Sequence, residues 1–265
     1  MPAHIALLLG IVEGLTEYLP ISSTGHLILA AKLLGRHAGS FEIVIQLGAI
    51  LAVVVQYRAL LARHARGLVA RRPQSLALLT ALAIGFVPVA VIGKLAGHAI
   101  KEKLFGPIPV AIALFVGGVL MIVVERVRAS KGALGVSGLD QVTAPRALYI
   151  GLGQCFALLP GMSRSMCTIV AGQLSGLSTA TAAEFSFLLG LPTLGAATLY
   201  EGYKSRHELL ADSGSLALVI GLVTSFLVAW AVIAAFLRYL QRRGLEPFGF
   251  YRILLSAVVL WATLH

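Results

Sequence analysis

Long apolar stretches separated by short connections constrain this chain more than any other feature. Of its 265 residues, 58% are apolar and only 12% are charged, which is about half the charged fraction of an ordinary soluble domain. Such a chain has too little polar side-chain surface to cover a folded body in water. The sequence therefore predicts an all-α polytopic membrane protein, because helices satisfy their own backbone hydrogen bonds within lipid.

Six of these stretches reach the length of about 17–25 residues that crosses a hydrocarbon core of about 30 Å. Each is predicted to be a transmembrane helix. The six predicted spans are Phe41–Tyr57, Ser75–Gly97, Pro107–Val124, Ala182–Tyr200, Gly214–Leu237 and Phe248–Leu264.

Basic residues are distributed unevenly among the connections. Those at 58–72, 125–146 and 238–243 hold 12 Lys and Arg residues, whereas those at 98–106 and 201–213 hold four. Because cytoplasmic loops are enriched in Lys and Arg, the first three connections are predicted to face the cytoplasm. The net charge of +10 is thereby interpreted as an orientation signal, with contact to anionic membrane lipids as a secondary role. No nucleic-acid partner is expected.

This orientation requires residues 1–40 and 147–181 each to enter and leave the membrane on one side. Both consist of apolar pieces of about 12–15 residues interrupted by Pro and Gly, which is typical of re-entrant helical hairpins. The chain is thus predicted to be a single membrane domain, 1–265, in which a first repeat at 1–124 and a second, inverted-topology repeat at 147–265 each combine a hairpin with three spans. Such repeats place a site where the hairpins meet, and because transporters share this architecture, a polyprenyl-phosphate flippase or transporter is the alternative to an enzyme.

The first hairpin contains the polar run EGLTEYLPISSTGH at residues 13–26. Glu13 and Glu17 are four residues apart and share one helix face. Two carboxylates in apolar surroundings are expected to be held by a metal, an Arg or a shared proton. Pro20 breaks the helix, and the residues after it offer capping hydroxyls, a small residue that lets the backbone approach, and a titratable ring. These residues are Ser22, Ser23, Thr24, Gly25 and His26.

The second hairpin contains the run LLPGMSRSMCT at residues 158–168. Arg164 lies between two apolar stretches, where burial of an Arg costs at least about 2.5–3.5 kcal/mol. Its planar guanidinium and the neighbouring hydroxyls suit a phosphate or diphosphate. An ion pair with Glu13 or Glu17 is the structural alternative, and both can hold in different states.

Together, EGLTEYLPISSTGHL, FEIVIQLGAILAVVV and PGMSRS resemble the undecaprenyl-diphosphate phosphatase family associated with bacitracin resistance, and the resemblance extends to AAEFSFLLGLP at 182–192. It implies a multi-pass enzyme of the bacterial inner membrane that hydrolyses undecaprenyl diphosphate to undecaprenyl phosphate and inorganic phosphate. That reaction recycles the lipid carrier of cell-wall synthesis. One position departs from the family's Pro-Gly-x-Ser-Arg-Ser-Gly-x-Thr signature, because Met166 replaces the second Gly.

The resemblance and the residue chemistry lead to one set of expected roles. Arg164 contributes to catalysis by binding the diphosphate, and Glu13 and Glu17 activate the nucleophile or hold a divalent cation, Mg²⁺ or Ca²⁺. Ser23 is the favoured nucleophile, with His26 or a water as alternatives. The expected substrate-binding residues are Ser22, Thr24, Gly25, Gly161, Ser163, Ser165 and Thr168. The site is expected to face the periplasm, and the sequence is compatible with a homodimer.

Overall fold

The computed structural model describes residues 1–34, 40–104, 106–132, 135–204 and 214–264. Within these ranges the chain forms eleven α-helices and two short 3₁₀ helices, and its β-structure is limited to an isolated bridge between Val136 and Leu177. The α-helices are α1 Ala3–Thr16, α2 Ser23–Leu33, α3 Ser40–Gln56, α4 Arg58–Val69, α5 Pro73–Leu104, α6 Pro107–Ser130, α7 Ala144–Gln154, α8 Arg164–Leu174, α9 Thr179–Lys204, α10 Ser215–Leu240 and α11 Glu246–Leu264.

In the part of the chain that the structure describes, five helices are long and apolar enough to cross a membrane, namely α5, α6, α9, α10 and α11. Each contains most or all of a predicted span, which confirms a multi-pass helical membrane protein. The remaining predicted span, Phe41–Tyr57, corresponds to α3, whose 17 residues extend over about 26 Å. A bend of 72° separates it from α4.

Helix α4 occupies most of the connection at 58–72, which the sequence analysis treated only as a basic loop. Its composition of Arg, Leu and Ala favours a helix, and Arg58, Arg63 and Arg66 lie along it. Lys and Arg counts give the side of the membrane but carry no information on local conformation, so this helix was not predicted.

The two Pro-interrupted segments form helix–break–helix units, α1 with α2 and α7 with α8. The residue before each second half-helix is a serine with a positive φ, 71° at Ser22 and 70° at Ser163. Residues other than glycine rarely adopt this conformation, and such strained positions cluster at functional sites. The same unusual backbone therefore marks both breaks.

Helices from the first half of the chain pack against helices from the second half. Helix α1 packs on α10 and α7 packs on α5, while α3 contacts α9 and α6 contacts α11. This arrangement brings both breaks into one buried core that includes Tyr18, Met162 and Phe187. The inverted orientation of the repeats stays a prediction, and Arg206, counted above on the sparse side, lies outside the described residues.

Candidate active site

The two breaks meet through a buried ion pair. The Nη2 atom of Arg164, at the start of α8, donates to Oε1 of Glu17, directly after α1, at 3.4 Å. Their side chains are only 8% and 4% exposed. The sequence left open which glutamate pairs with Arg164, and the structure forms this pair with Glu17.

Ser23 completes a three-residue centre on the other oxygen of the same carboxylate. Its Oγ donates to Oε2 of Glu17 at 2.8 Å. A hydroxyl within about 2.6–3.2 Å of a carboxylate has the geometry of a nucleophile beside its base. Glu17 therefore contacts both a potential nucleophile and a guanidinium suited to phosphate binding.

Helices α3 and α9 surround this centre. Gln46 of α3 donates from Nε2 to Oε2 of Glu17 at 3.2 Å and accepts a hydrogen bond from Thr198 of α9 at 2.9 Å. The Arg164 guanidinium donates to the carbonyl of Ser186 at 3.0 Å and lies 5.1 Å from the centre of the Tyr18 ring, within cation–π range.

Three buried polar atoms around the centre have no hydrogen-bond partner in the structure: Oε1 of Glu13, the Tyr18 hydroxyl and Nε of Arg164. A buried polar atom without a partner is unfavourable. The Arg164 N–H thus needs an acceptor, and the Glu13 oxygen needs a hydrogen-bond donor or a cation.

Glu13 and Glu17 fit a divalent cation by the nature of their donors, since Mg²⁺ and Ca²⁺ prefer carboxylate oxygens. They lie one helical turn apart, with the Glu17 backbone N–H donating to the Glu13 carbonyl at 3.0 Å. The described part of the chain contains no group of three His, Cys, Asp or Glu residues that could hold a metal. Phosphate oxygens or waters would therefore complete the coordination sphere.

His26 takes part in a separate arrangement. Its Nδ1 lies 2.7 Å from the Ser22 carbonyl and its Nε2 lies 2.7 Å from the Tyr251 hydroxyl. Because a carbonyl can only accept, Nδ1 carries a proton in this arrangement, and in the neutral ring Nε2 then accepts from the Tyr251 hydroxyl. Both ring nitrogens are thus occupied, and none of the hydrogen bonds described for this ring reaches Ser23 or Glu17.

The hydroxyls of the second break hold its backbone in place. Ser163 accepts a hydrogen bond from the Met166 amide at 3.3 Å and caps α8. Ser165 donates to the Leu19 carbonyl at 2.9 Å, which joins the two hairpins, and Thr168 donates to the Arg164 carbonyl at 2.9 Å. Ser165 and Thr168 are fully buried, and these hydrogen bonds hold the backbone at the start of α8 against the first break.

In the first break, Ser22 has the equivalent capping role. Its Oγ accepts from the Gly25 amide at 3.3 Å, and Thr24 lies in the first turn of α2 beside Ser23. Gly161 has φ +96°, and a Cβ there would lie 2.6 Å from the Val110 carbonyl of α6. The second break therefore requires glycine at this position.

Comparison with known proteins identifies the family. The model of the family described as bacitracin resistance protein BacA matches residues 6–258. The chain belongs to the BacA family.

Relatives of this BacA-family protein align over nearly its whole length. An undecaprenyl-diphosphatase of Sorangium cellulosum is 60% identical over 260 residues, covering 97% of this chain and 85% of the relative. Undecaprenyl-diphosphatase 2 of Rhodospirillum rubrum is 48% identical, covering 96% and 93%. An undecaprenyl-diphosphatase of Rhizorhabdus wittichii is 46% identical, covering 96% and 95%.

Arg252 of this BacA-family chain was not among the residues predicted from the sequence. This residue of α11 is fully buried, and its guanidinium donates at 3.0–3.3 Å to four backbone carbonyls. The carbonyls of Pro20 and Gly161 belong to the two breaks. Those of Ala113 and Leu114 belong to α6. A lone Arg within a predicted span was the available signal, because intramembrane charges need specific partners.

The departure from the family signature at Met166 is accommodated by α6. Met166 is fully buried, and a Cβ at Gly117 would lie 2.8 Å from the Met166 Cε. The absence of a side chain at Gly117 thus leaves room for the methionine, and the N-terminus of α8 keeps its capped geometry.

Proposed function

We propose that this BacA-family protein hydrolyses undecaprenyl diphosphate to undecaprenyl phosphate and inorganic phosphate. The observation that carries the proposal is the contact of one buried carboxylate, Glu17, with both Ser23 and Arg164. Phosphoryl transfer needs a positioned nucleophile and a neutralised phosphate charge, and this centre provides both. The names of the three relatives described above agree with this chemistry.

In the first step, the Arg164 guanidinium leaves Glu17 and donates to oxygens of the terminal phosphate. Two phosphate oxygens match the two parallel N–H donors of a guanidinium. The Oγ of Ser23 attacks the terminal phosphorus while Oε2 of Glu17 takes its proton. The bond between that phosphorus and the bridging oxygen breaks, and its electron pair leaves on undecaprenyl phosphate. The enzyme now carries a phosphoserine at Ser23 and a protonated Glu17.

In the second step, water attacks the phosphoserine and the phosphorus–Oγ bond breaks. Glu17 returns its proton to Oγ, and the phosphate departs with the hydrogens of the water. Both residues are thereby restored, and Arg164 can pair with Glu17 again. The resting ion pair therefore keeps two buried charges compensated between turnovers.

Glu13 and Glu17 would hold a divalent cation, Mg²⁺ or Ca²⁺, beside the substrate phosphates. Such a cation neutralises charge on the phosphate oxygens. The buried, unpartnered Oε1 of Glu13 supports this assignment. Glu13 thus has a binding role, whereas Glu17 also accepts the proton of the nucleophile.

The charge distribution and the apolar helices support a specific orientation of the protein in the membrane. The excess of Lys and Arg at 58–72, 125–146 and 238–243 supports an inner-membrane protein with those connections in the cytoplasm. The hairpin with Glu17 and Ser23 then enters from the periplasmic side, so the diphosphate reaches the site from there. The polyprenyl tail stays in the lipid phase along the apolar helices.

The direct test is phosphate release by purified protein in detergent. We expect Arg164→Ala to lower kcat by about 10³-fold or more, because removal of a charge that stabilises a transferring phosphoryl group has effects of this size. Arg126→Ala is the matched control, since Arg126 pairs with Glu246 at 2.7 Å on the surface with 64% of its side chain exposed. Normal turnover of the Arg164 variant would contradict the site. Absence of phosphate release by the unmodified protein would contradict the enzyme and agree with a transporter.

A further inference from the structure

We propose that Thr198 and Gln46 form a positioning relay that holds the Glu17 carboxylate in the orientation needed to accept the Ser23 proton. The inference rests on the proposed function, because Glu17 is the base of that reaction. Neither relay residue contacts Ser23 through a described hydrogen bond, so both act through Glu17.

The Glu17 carboxylate needs external partners to fix its plane. The last side-chain torsion of a glutamate is broad, so the two oxygens can rotate unless they are held. In the resting structure Arg164 holds Oε1 and Gln46 holds Oε2. When Arg164 turns to the substrate phosphate, Gln46 is the remaining partner, besides the nucleophile itself, among the described hydrogen bonds of this carboxylate.

Gln46 can hold Oε2 only if its amide faces Glu17 with the NH₂ group. The two ends of a glutamine amide have similar shapes but opposite hydrogen-bonding character. The Thr198 hydroxyl donates to Oε1 of Gln46 at 2.9 Å, which leaves Nε2 directed towards Glu17 at 3.2 Å. The acceptor-only carboxylate of Glu17 requires the NH₂ end of the amide. The Thr198 hydroxyl, which donates to the opposite end, holds the amide in that orientation.

Thr198 departs from the usual behaviour of a threonine within a helix. Such hydroxyls commonly donate to the carbonyl four residues earlier. Thr193 of the same helix does so to Leu189 at 2.8 Å, with a longer second contact to Oε1 of Gln154 at 3.4 Å. Thr198 is fully buried and instead donates across the α3–α9 contact. This tertiary hydrogen bond gives the threonine a role beyond the local satisfaction of its hydroxyl.

The experiment measures kcat and KM for phosphate release from undecaprenyl diphosphate by the purified full-length protein at one saturating divalent-cation concentration. The variants are Thr198→Val, Thr198→Ser, Gln46→Ala and the Thr198→Val/Gln46→Ala pair. Thr193→Val is the matched control, because it makes the same change in the same helix outside the Glu17 contacts. Thermal unfolding of each variant is measured alongside.

The relay predicts that Thr198→Val lowers kcat about tenfold, the effect of about one hydrogen bond on a barrier, and changes KM by less than about twofold. Thr198→Ser and Thr193→Val keep the unmodified kcat. In the Gln46→Ala background, Thr198→Val has no further effect on kcat, because the threonine acts through Gln46. The Thr198→Val protein is expected to remain folded at the assay temperature, so that unfolding does not account for its lower kcat.

Three results would overturn the relay while leaving the phosphatase in place. The first is an equal kcat for Thr198→Val and Thr193→Val. The second is the same kcat loss for Thr198→Val with and without Gln46. The third is a Thr198→Val effect confined to KM or explained by unfolding at the assay temperature. Absence of phosphate release by the unmodified protein would instead overturn the proposed function, and the relay with it.

Discussion

At the scale of single residues, the position of the Arg164 guanidinium depends on Gly190, which has no side chain to occupy the same space. A Cβ at Gly190 of α9 would lie 3.0–3.1 Å from three atoms of that group, closer than ordinary packing. Gly190 thus gives Arg164 room to lie between the Ser186 carbonyl and Glu17. The guanidinium is held by hydrogen bonds on one side and by a tight steric wall on the other.

We therefore expect Gly190→Ala to displace the Arg164 guanidinium by a few tenths of an ångström. KM should rise about three- to tenfold, because the hydrogen bonds from Arg164 to the substrate phosphate are weakened. Gly195→Ala is the control in the same helix, since its Cβ would meet no atom within 4 Å. Steady-state kinetics of the two variants give the answer. Equal KM values would show that Gly190 does not set the position of Arg164.

The sequence predicted the central residues because they stand in dense polar runs. Glu17, Ser23 and Arg164 all lie in such runs, and their chemistry indicated a phosphate site before any geometry was available. Ser186 and Thr198 were not predicted, since an isolated hydroxyl in an apolar helix gives no spacing pattern and often bonds only to its own backbone. Their roles depend on which helices pack together.

At the scale of helices, Arg252 links elements that are distant in the chain. Its guanidinium joins α11 to α6 and to the breaks of both hairpins through the carbonyls of Pro20 and Gly161. Those two carbonyls lie between helices and so have no partner in a helical hydrogen-bond ladder. The buried guanidinium supplies a donor to each of them. The register of the two breaks therefore depends on this side chain.

We expect Arg252→Met to lower the free energy of unfolding by about 3–5 kcal/mol, because removing one partner leaves buried polar groups unsatisfied. Arg126→Met, which removes only the exposed pair with Glu246, should change it by about 1 kcal/mol or less. Thermal or denaturant unfolding in detergent compares the two. Similar losses for both variants would contradict the linking role of Arg252.

Helix boundaries were predicted well where apolar length alone decides them. Five predicted spans lie within single long helices, whereas α3 ends at a 72° bend that no residue pattern indicated. Residues 58–69 were expected as loop and form α4. A basic run near a membrane gives a clear orientation signal, but its conformation depends on local packing, here against α5.

At the scale of the whole molecule, the account depends on opposite ends of α5 lying on opposite sides of the membrane. The positive-inside distribution predicts that Arg71, before α5, lies in the cytoplasm and that Lys103, near its end, lies outside. This orientation determines which side delivers the diphosphate.

Single cysteines test this orientation after Cys155→Ala and Cys167→Ala remove the two native thiols. In intact spheroplasts, a membrane-impermeant maleimide should label Lys103→Cys and leave Arg71→Cys unlabelled. Permeabilised spheroplasts should show labelling of both. The reverse pattern in intact spheroplasts would place the Glu17 hairpin on the cytoplasmic side.

The most direct measurement of the central claim is to trap the enzyme during turnover with substrate labelled in its terminal phosphate. Acid quenching and peptide mapping should place the label on Ser23, because its Oγ lies 2.8 Å from the Glu17 carboxylate that we propose as its base. The label should be absent from Ser23→Ala, which should also release no phosphate. Label on His26, or full turnover by the Ser23→Ala variant, would contradict the account.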